Sequence, residues 1–244
     1  PKFLFILPKT VSMKFSSCCL RLFFGLLTFH IASLHAQQEP VNLLQSAQQR
    51  GNLRSESFLA NWPARQIGPT VQGGRVVDLD VDPRNPHHWY AAYASGGLFE
   101  TTNNGQSWVP IFDNQAVLGI GDIAISPANP DVLWVGTGEN NSSRSSYAGA
   151  GLFRSTDGGK TWEHRGLAKT QHIGRIVLHP SNPDLIWVAA AGPLYTESPN
   201  RGVFRSTDGG KNWEKTLFIN DRTGAIALVI DPQKPDHLWA ATWD

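Results

Sequence analysis

Four times along the chain, an alternating apolar segment is followed by a proline-rich turn and then by a nearly continuous apolar run. The alternating segments hold Val77, Leu79 and Val81; Ile123 and Ile125; Ile176 and Leu178; and Leu228 and Ile230. Alternation with a period of two residues predicts half-buried strands, and short continuous apolar runs predict buried ones. The turns occupy residues 82–86, 126–130, 179–183 and 231–235, where proline and Asn, Asp or Ser favour chain reversal. The pattern therefore predicts four repeats that each begin with two strands, A and B.

A second recurring segment marks the end of a repeat. Residues 155–162 read STDGGKTW, residues 206–213 read STDGGKNW, and residues 101–108 read TTNNGQSW, a decayed copy. The copies begin 54 and 51 residues apart. A strand C precedes each copy and a strand D begins at its closing Trp. A period of about 50 residues in a β-rich chain predicts a propeller with one sheet per repeat. We expect an all-β β-propeller of four-stranded antiparallel blades, with three complete blades at roughly 75–113, 120–167 and 173–218 and the start of a fourth near 225.

The pattern Ser-x-Asp-x-Gly-x-Thr-Trp resembles the Asp box, or BNR repeat, of sialidases, xyloglucanases and sortilin-type propellers, and the resemblance covers about residues 62–244. We expect its role to be structural, because an Asp side chain can accept backbone N–H groups across a tight turn and Gly supplies the backbone freedom. The closing Trp is expected to pack between blades. The residues concerned are Ser155, Asp157, Gly159, Trp162, Ser206, Asp208, Gly210 and Trp213, with Asn103, Gly105 and Trp108 in the decayed copy. No Glu follows at the spacing of a calcium loop, so neither a metal nor another cofactor is expected.

The ends of the chain carry their own signals. Residues 13–36 combine a basic start, an apolar core and Leu34–His35–Ala36, the pattern of a cleaved signal peptide, with a membrane anchor as the alternative. Residues 1–12 are expected to be an upstream segment that is not native, and residues 37–61 a polar lead-in with helix as an option. Trp62 to Gly74 could hold a strand that closes the ring. The last repeat is cut after strand B, so we expect a fragment of a longer protein that is secreted, periplasmic or on the cell surface.

Composition narrows the class of partner. Both cysteines, Cys18 and Cys19, lie inside the signal segment, so the mature chain would hold no disulfide. Residues 1–36 contain four basic and no acidic residues, which takes the formal net charge from +1 to −3 when they are removed. A chain with this charge is not expected to bind nucleic acid. We expect an extracellular protein, peptide or carbohydrate ligand and no membrane span.

The repeats differ mainly in the loop between strands B and C. The distance from the aromatic residue of strand B to the next Asp box is 11, 21 and 19 residues in the three repeats. Loops that grow on a fixed scaffold often carry binding residues. The loop of the second repeat offers Glu139, Asn140, Asn141, Arg144 and Tyr147, and that of the third offers Tyr195, Glu197 and Arg201. A solvated loop held by its own turns is the alternative.

Strand A, the innermost strand of a propeller blade, offers a second set of candidates. Counting five residues back from the first proline of each turn gives Asp78, Asp122, Arg175 and Ala227. Arg75 and His172 precede this position by three residues in the first and third repeats. These groups could bind a ligand at the channel entrance, or they could pair between blades. Asp80 and Asp82 are expected to meet water.

Two functions compete. The layout resembles that of xyloglucanases, which implies a catalytic Asp two residues before a Gly-Gly pair, but Ala94 stands there in Ala94–Ser95–Gly96–Gly97. Weak catalytic candidates are Glu139 and Asp122, and the sialidase Arg-Ile-Pro start is missing. The segments 66–69, 73–75 and 136–139 resemble sortilin-like exported bacterial propellers, which implies binding of peptides or proteins. We favour a secreted binding module for protein, peptide or glycan over a glycoside hydrolase that acts on polysaccharide.

Overall fold

The structure is a computed structural model that describes residues 40–62, 74–143 and 146–244, all within one compact unit. The expected signal peptide, the segment before it and the expected strand between Trp62 and Gly74 fall mainly or wholly outside the described residues. The lead-in forms a helix, α1 (Pro40–Glu56). This helix contacts the rest of the chain through Leu44, which packs on the apolar core, and through Arg50 Nη2, which donates to the Gln115 carbonyl at 3.0 Å.

Within the described residues, strands form three four-stranded sheets and one two-stranded sheet, each an antiparallel meander in chain order. We number these blades 1 to 4. Blade 1 is β1 (Val76–Val81), β2 (Trp89–Tyr93), β3 (Gly97–Thr101) and β4 (Val109–Pro110); blade 2 is β5 (Ile120–Ile125), β6 (Leu133–Thr137), β7 (Leu152–Ser155) and β8 (Glu163–His164); blade 3 is β9 (Ile173–Leu178), β10 (Ile186–Ala190), β11 (Gly202–Ser206) and β12 (Glu214–Leu217); blade 4 is β13 (Gly224–Ile230) and β14 (Leu238–Trp243). A 3-10 turn, Ala168–Thr170, precedes β9.

The first strands of the blades lie side by side, β1 next to β5, β5 next to β9 and β9 next to β13. This arrangement of inner strands, each starting an antiparallel sheet, confirms the predicted all-β propeller architecture. The apolar core lies between blades rather than within one. Trp134 and Leu152 of blade 2, for example, share a cluster with Ile176 and Val188 of blade 3. Each blade therefore depends on its neighbour to bury one face.

Every inner strand contains a β-bulge at the same place. The pairing skips Val77 in β1, Gly121 in β5, Gly174 in β9 and Ile226 in β13. At Gly121 the next inner strand passes so close that an added Cβ would lie 2.0 Å from the Ile173 carbonyl oxygen. A bulge breaks the two-residue alternation and re-aims the side chains that follow it. Those side chains are the ones counted from the prolines, because the bulge lies six residues before the first proline of the turn in all four repeats.

The Asp boxes form closed turns between strands C and D. In blade 2, Asp157 accepts hydrogen bonds from Ser155 Oγ at 2.7 Å, from the Thr161 N–H at 2.9 Å and from Thr161 Oγ1 at 2.6 Å. The Gly159 N–H donates to Ser155 Oγ at 2.8 Å. Hydrogen bonds from the Thr161 side chain, its amide and Ser155 lower the pKa of Asp157 to about 2. Ser206, Asp208 and Gly210 of blade 3 repeat this pattern, and Asn103 and Gly105 keep most of it in blade 1.

The closing tryptophans join consecutive blades. Trp162 Nε1 donates to the Ile111 carbonyl of blade 1 at 2.9 Å. Trp213 Nε1 donates to the Arg165 carbonyl of blade 2 at 2.7 Å, and its ring packs edge-on against the buried Trp134. Trp108 of blade 1 is partly exposed. The box therefore closes a turn in its own blade and fastens that blade to the preceding one.

Candidate functional site

The loops between strands B and C meet the connections between blades at one end of the sheets. Hydrogen bonds tie the two sets together: Gly97 N–H to Leu118 O at 2.8 Å, Gly138 N–H to Gly119 O at 2.8 Å and Ala191 N–H to His172 O at 3.0 Å. We call this surface the loop face and define it by residues 94–96, 113–119, 138–143, 146–151, 168–172 and 191–201. The Asn-Pro turns and the Asp boxes lie at the opposite end of the strands.

Glu139 holds the long loop of blade 2 from inside. Its side chain is 1% exposed and forms an ion pair with Arg75 Nη2 at 2.5 Å. The same carboxylate accepts the Asn141 N–H at 2.9 Å and the Ser146 hydroxyl. The Glu139 carbonyl also contacts His172 Nδ1 at 2.8 Å. The buried carboxylate of Glu139 thus connects the loop to Arg75 at the start of blade 1. The backbone carbonyl of the same residue connects the loop to His172 at the start of blade 3.

The ionisation of this cluster is set by its surroundings. Burial favours the neutral form of Glu139, but the hydrogen bonds from Arg75, Ser146 and the Asn141 amide outweigh it, and the pKa of Glu139 is lowered. Burial lowers the pKa of His172, so the ring is neutral at neutral pH and its Nδ1–H can donate to the Glu139 carbonyl. The ionised form of Glu139 is therefore favoured, and its hydrogen bonds anchor the loop.

Arg201 holds the loop of blade 3 in a comparable way. Its side chain is 7% exposed, and its guanidinium donates to the carbonyls of Ala191 at 2.5 Å, of Thr196 at 2.7 Å and of Pro193. The alkyl part of the side chain lies against Gly192, where an added Cβ would come within 2.3 Å of Arg201 Cγ. Burial lowers the pKa of Arg201. Three backbone carbonyls of one loop therefore share a single buried cation.

Each of these two loops presents one tyrosine to solvent. Tyr147 on the blade 2 loop is 61% exposed, and Tyr195 on the blade 3 loop is 71% exposed. Tyr147 lies beside the short loop of blade 1, because an added Cβ on Gly119 would lie 3.1 Å from the Ala94 carbonyl oxygen and 3.6 Å from the Tyr147 carbonyl oxygen. Ala94 itself is buried. The backbone of a residue with an exposed aromatic side chain thus lies beside the loop where the xyloglucanase resemblance implies an acid and where this chain has alanine.

The charged register of the inner strands forms a network between blades. Arg175 Nη1 lies 3.0 Å from Asp122 Oδ1 and 3.6 Å from Asp78 Oδ2. The Ile176 N–H donates to Asp122 Oδ2 at 2.6 Å, and the Ile123 N–H approaches Asp78 Oδ2 at 3.4 Å. In both cases a carboxylate of one inner strand accepts an amide of the next. Ala227, at the same register of β13, adds no charge.

Asp122 is the most perturbed carboxyl group of this network. It is buried, and burial raises its pKa well above the usual range, against the opposing charge of Arg175; a hydrogen bond with Asp78 raises it further. The expectation that Asp82 meets water is wrong because this residue is buried, whereas Asp80 is half-buried. Asp80 Oδ2 accepts the Ile125 N–H at 2.8 Å, and the buried Asp82 forms an ion pair with Arg84 at 2.7 Å. The bulge turns Asp80 toward the neighbouring strand, and the Asn-Pro turn encloses Asp82.

The structure brings together some sequence-predicted candidates and separates others. Arg75, Glu139 and His172 form one cluster, while Asp78, Asp122 and Arg175 form another further along the inner strands. The Asn140 side chain packs over Gly174, where an added Cβ would lie 2.8 Å from Asn140 Nδ2. Arg144 lies outside the described residues. Sequence reasoning missed Asp113, an exposed carboxylate that would lie 3.6 Å from a Cβ on Gly97; only its position after strand D could have pointed to it.

In residues 40–62, 74–143 and 146–244, no group of three or more His, Cys, Asp or Glu side chains is placed to hold a metal ion. None of the helices in the described parts of the chain combines the length and the apolar composition that crossing a lipid bilayer requires.

Comparison with known proteins identifies the repeat. The family model "BNR/Asp-box repeat" matches residues 153–164 and 204–215, so the chain carries BNR repeats. A xyloglucanase from Paenibacillus sp is 28% identical over 174 residues, which is 66% of this chain and 16% of that protein. The vacuolar protein sorting/targeting protein 10 of Sordaria macrospora is 32% identical over 88 residues, 36% of this chain and 6% of that protein.

Solved structures support the fold. An ancestral GH74 enzyme superimposes with a TM-score of 0.55 at 24% identity, over 72% of this chain and 22% of that one. The GH74 enzyme of Niastella koreensis gives a TM-score of 0.53 at 22% identity, over 68% of this chain and 26% of that one. The chain thus spans between about a sixth and a quarter of the length of these xyloglucanase and GH74 proteins. At these identities the superpositions establish a propeller fold of this type.

Proposed function

We propose that this chain is part of a secreted Asp-box propeller whose loop face binds a β-glucan polysaccharide of the xyloglucan type and does not hydrolyse it. The observation that carries the proposal is Tyr147, an exposed aromatic side chain on an internally anchored loop beside the blade 1 position occupied by Ala94. The segment 62–244 would form the binding propeller and residues 13–36 its export signal.

The chemistry of the loop face suits a neutral sugar. A tyrosine ring offers an apolar face on which the C–H groups of a pyranose can pack, and its hydroxyl can hydrogen bond. Asn140 and Asn141 lie on the same loop and carry amides that both donate and accept. Because Glu139 fixes the loop, less conformational entropy is lost when a ligand binds than would be lost from a free loop.

The contacts of Glu139 and Asp122 argue against hydrolysis by these residues. Most glycosidases need one carboxyl group that donates a proton and a second carboxylate that acts as base or nucleophile. Glu139 has a lowered pKa and both oxygens bonded, so it is a poor acid. Asp122 has a raised pKa but is buried between two inner strands with its oxygens on Arg175 and the Ile176 amide. Ala94 can do neither reaction.

The proposal of a β-glucan ligand of the xyloglucan type is supported by the sequence relatives. Similarity to proteins named xyloglucanase extends over about two thirds of this chain, and it supports a β-glucan ligand more than a peptide. The peptide alternative rests on the shorter match to the vacuolar sorting protein. Because the chain spans only a small part of each relative, the activity of the whole protein is part of the proposal.

A xyloglucanase-like hydrolase is the second candidate, and the same similarity favours it. Asp113 then becomes the carboxylate to test, because it is exposed on the loop face next to the turn that contains Ala94 and Gly97. Release of reducing sugar from xyloglucan that is abolished by Asp113→Asn would establish hydrolysis. Release that persists in Asp113→Asn would direct attention to carboxylates elsewhere.

The binding proposal is tested by affinity electrophoresis and calorimetry of the full chain with soluble xyloglucan. We expect Tyr147→Ala to weaken binding by about tenfold or more, equivalent to about 1.4 kcal/mol, and Tyr147→Phe to keep most of it. Trp239→Ala is a matched control, since Trp239 is an exposed aromatic side chain at the opposite end of the strands. Equal affinity of Tyr147→Ala and the unmodified chain would refute the site.

A further inference from the structure

The blade 3 side of the loop face contains a pocket with no role in the site at Tyr147. It has a volume of about 240 Å³ and lies between the blade 3 loop and the connection to blade 4, lined by Leu194, Tyr195, Thr196, Glu197, Arg201, Arg222 and Asp244. We infer that this pocket is a second sugar subsite, so that one polysaccharide chain bridges blades 2 and 3. The inference rests on the proposed function.

The rim of the pocket is rigid for a reason visible in its contacts. Arg201 donates to the carbonyls of Ala191, Pro193 and Thr196, and thereby fixes the backbone on both sides of Tyr195. Tyr195 is nevertheless 71% exposed. An aromatic ring displayed on a fixed backbone is the kind of residue that dominates binding energy, because little order has to be created when the ligand arrives.

The charges of the pocket indicate a neutral ligand. The three hydrogen bonds of Arg201 go to the loop itself, and burial removes its remaining Nε from solvent. Arg222 Nε lies 3.4 Å from Asp244 Oδ1, so these two charges offset each other. Glu197 is exposed at the rim. Donors and acceptors are mixed with no excess of free positive charge, which suits the hydroxyl groups of an uncharged hexose or pentose better than a carboxylate or phosphate.

The two subsites are built alike but not copied from one another. In blade 2 the buried anchor is a carboxylate that precedes its tyrosine, and in blade 3 it is a guanidinium that follows its tyrosine. The anchor accepts amide and hydroxyl protons in one loop and donates to carbonyls in the other. The short blade 1 loop has no such extension. Each of these neighbouring loops thus carries an exposed tyrosine beside a buried charged anchor on the same face, and a long ligand could contact both.

The test uses the full chain and β-1,4-linked glucan oligosaccharides of increasing length, with and without xylose branches. For the unmodified chain we expect affinity to rise with length until both subsites are filled. Tyr195→Ala should remove that rise, a loss of about tenfold for the longest oligosaccharide, and leave the affinity for the shortest unchanged. Tyr147→Ala should weaken binding at every length, and Tyr195→Phe should retain the rise.

The outcomes distinguish failure of the second subsite from failure of the proposed function. If the oligosaccharides bind in a way that depends on Tyr147 but Tyr195→Ala shows the same rise with length, the second subsite is wrong and the proposed function stands. If no oligosaccharide binds, both are wrong. Thermal unfolding of each variant shows whether the loop is intact, and because Tyr195 makes little buried contact we expect no change in its midpoint.

Discussion

The ion pair that anchors the blade 2 loop provides the sharpest test of the physical argument. Glu139→Gln replaces a carboxylate that receives Arg75, the Asn141 amide and the Ser146 hydroxyl. The amide of the glutamine side chain has one acceptor oxygen instead of two, and its NH₂ group would face donors that the carboxylate accepts. Removing one partner of a fully buried pair costs about 3–5 kcal/mol, but the Arg75 side chain is 37% exposed and its charge can be solvated. We therefore expect a loss of about 2–3 kcal/mol in the free energy of unfolding.

The assay is urea unfolding of the full chain, with Arg75→Gln and the double variant completing a mutant cycle. The cycle should give a coupling of about 1–2 kcal/mol between the two side chains. Glu163→Gln is the matched control, because Glu163 of the same blade pairs with Arg165 at 2.5 Å but is exposed; we expect a change below about 1 kcal/mol. A coupling near zero, or equal losses for Glu139→Gln and Glu163→Gln, would refute the anchoring role.

The pH dependence of this ion pair follows from the direction in which the pKa of Glu139 is shifted. The pKa of Glu139 is lower in the folded state than in the unfolded chain, so its stabilising contribution is complete above the unfolded value of about 4.3. It is lost as the pH falls through the lowered folded value. The difference in stability between the unmodified chain and Glu139→Gln should therefore narrow below about pH 4. A difference that stays constant down to the acid transition would contradict the assigned ionisation.

Three further changes probe the scaffold by thermal and urea unfolding. Asp157→Ala should lower the free energy of unfolding by about 1–3 kcal/mol at neutral pH, because the donors of the turn lose their acceptor. This loss should shrink between about pH 4 and pH 2, since the pKa of Asp157 in the folded state is about 2. A loss that does not depend on pH would argue against the ionised carboxylate as the acceptor. Trp213→Phe should cost about 1 kcal/mol by removing the bond to the Arg165 carbonyl, and no change would mean that this bond does not hold the blades. Gly121→Ala should be far more damaging than Gly51→Ala, because the first Cβ would meet the Ile173 carbonyl at 2.0 Å whereas the second, on α1, meets nothing within 4 Å and should stabilise the helix by up to about 1 kcal/mol.

The parts of this fold that could be predicted from sequence are those whose causes are local. The hydrogen bonds of the Asp box join residues only a few positions apart, so its Ser, Asp and Gly predict the turn directly. The register of Asp78, Asp122 and Arg175 could be counted from the prolines because the bulge of each inner strand lies at the same distance from the turn. The architecture followed from repetition of these local units.

The parts that could not be predicted depend on which distant groups meet. Nothing near Glu139 in sequence indicates that Arg75 will reach it, and a loop rich in Ser and Asn suggests solvent rather than a buried carboxylate. The same holds for Asp80, whose partner is an amide of the next blade. The bulge decides where that carboxylate points, and it becomes visible only when the strands are paired.

Burial of a charge in each long loop bears on function as well as on stability. A solvated loop would need only turns, and placing Glu139 or Arg201 inside it carries a desolvation cost that several hydrogen bonds must offset. That cost is hard to explain by the stability of the propeller, because the blades are already joined by the box tryptophans and the inner-strand carboxylates. What the buried charges add is a fixed position for the exposed rings of Tyr147 and Tyr195. A surface whose anchored loops hold exposed aromatic side chains in fixed positions is suited to recognise a ligand with regularly spaced binding groups. A polysaccharide has such groups in its repeated sugar units.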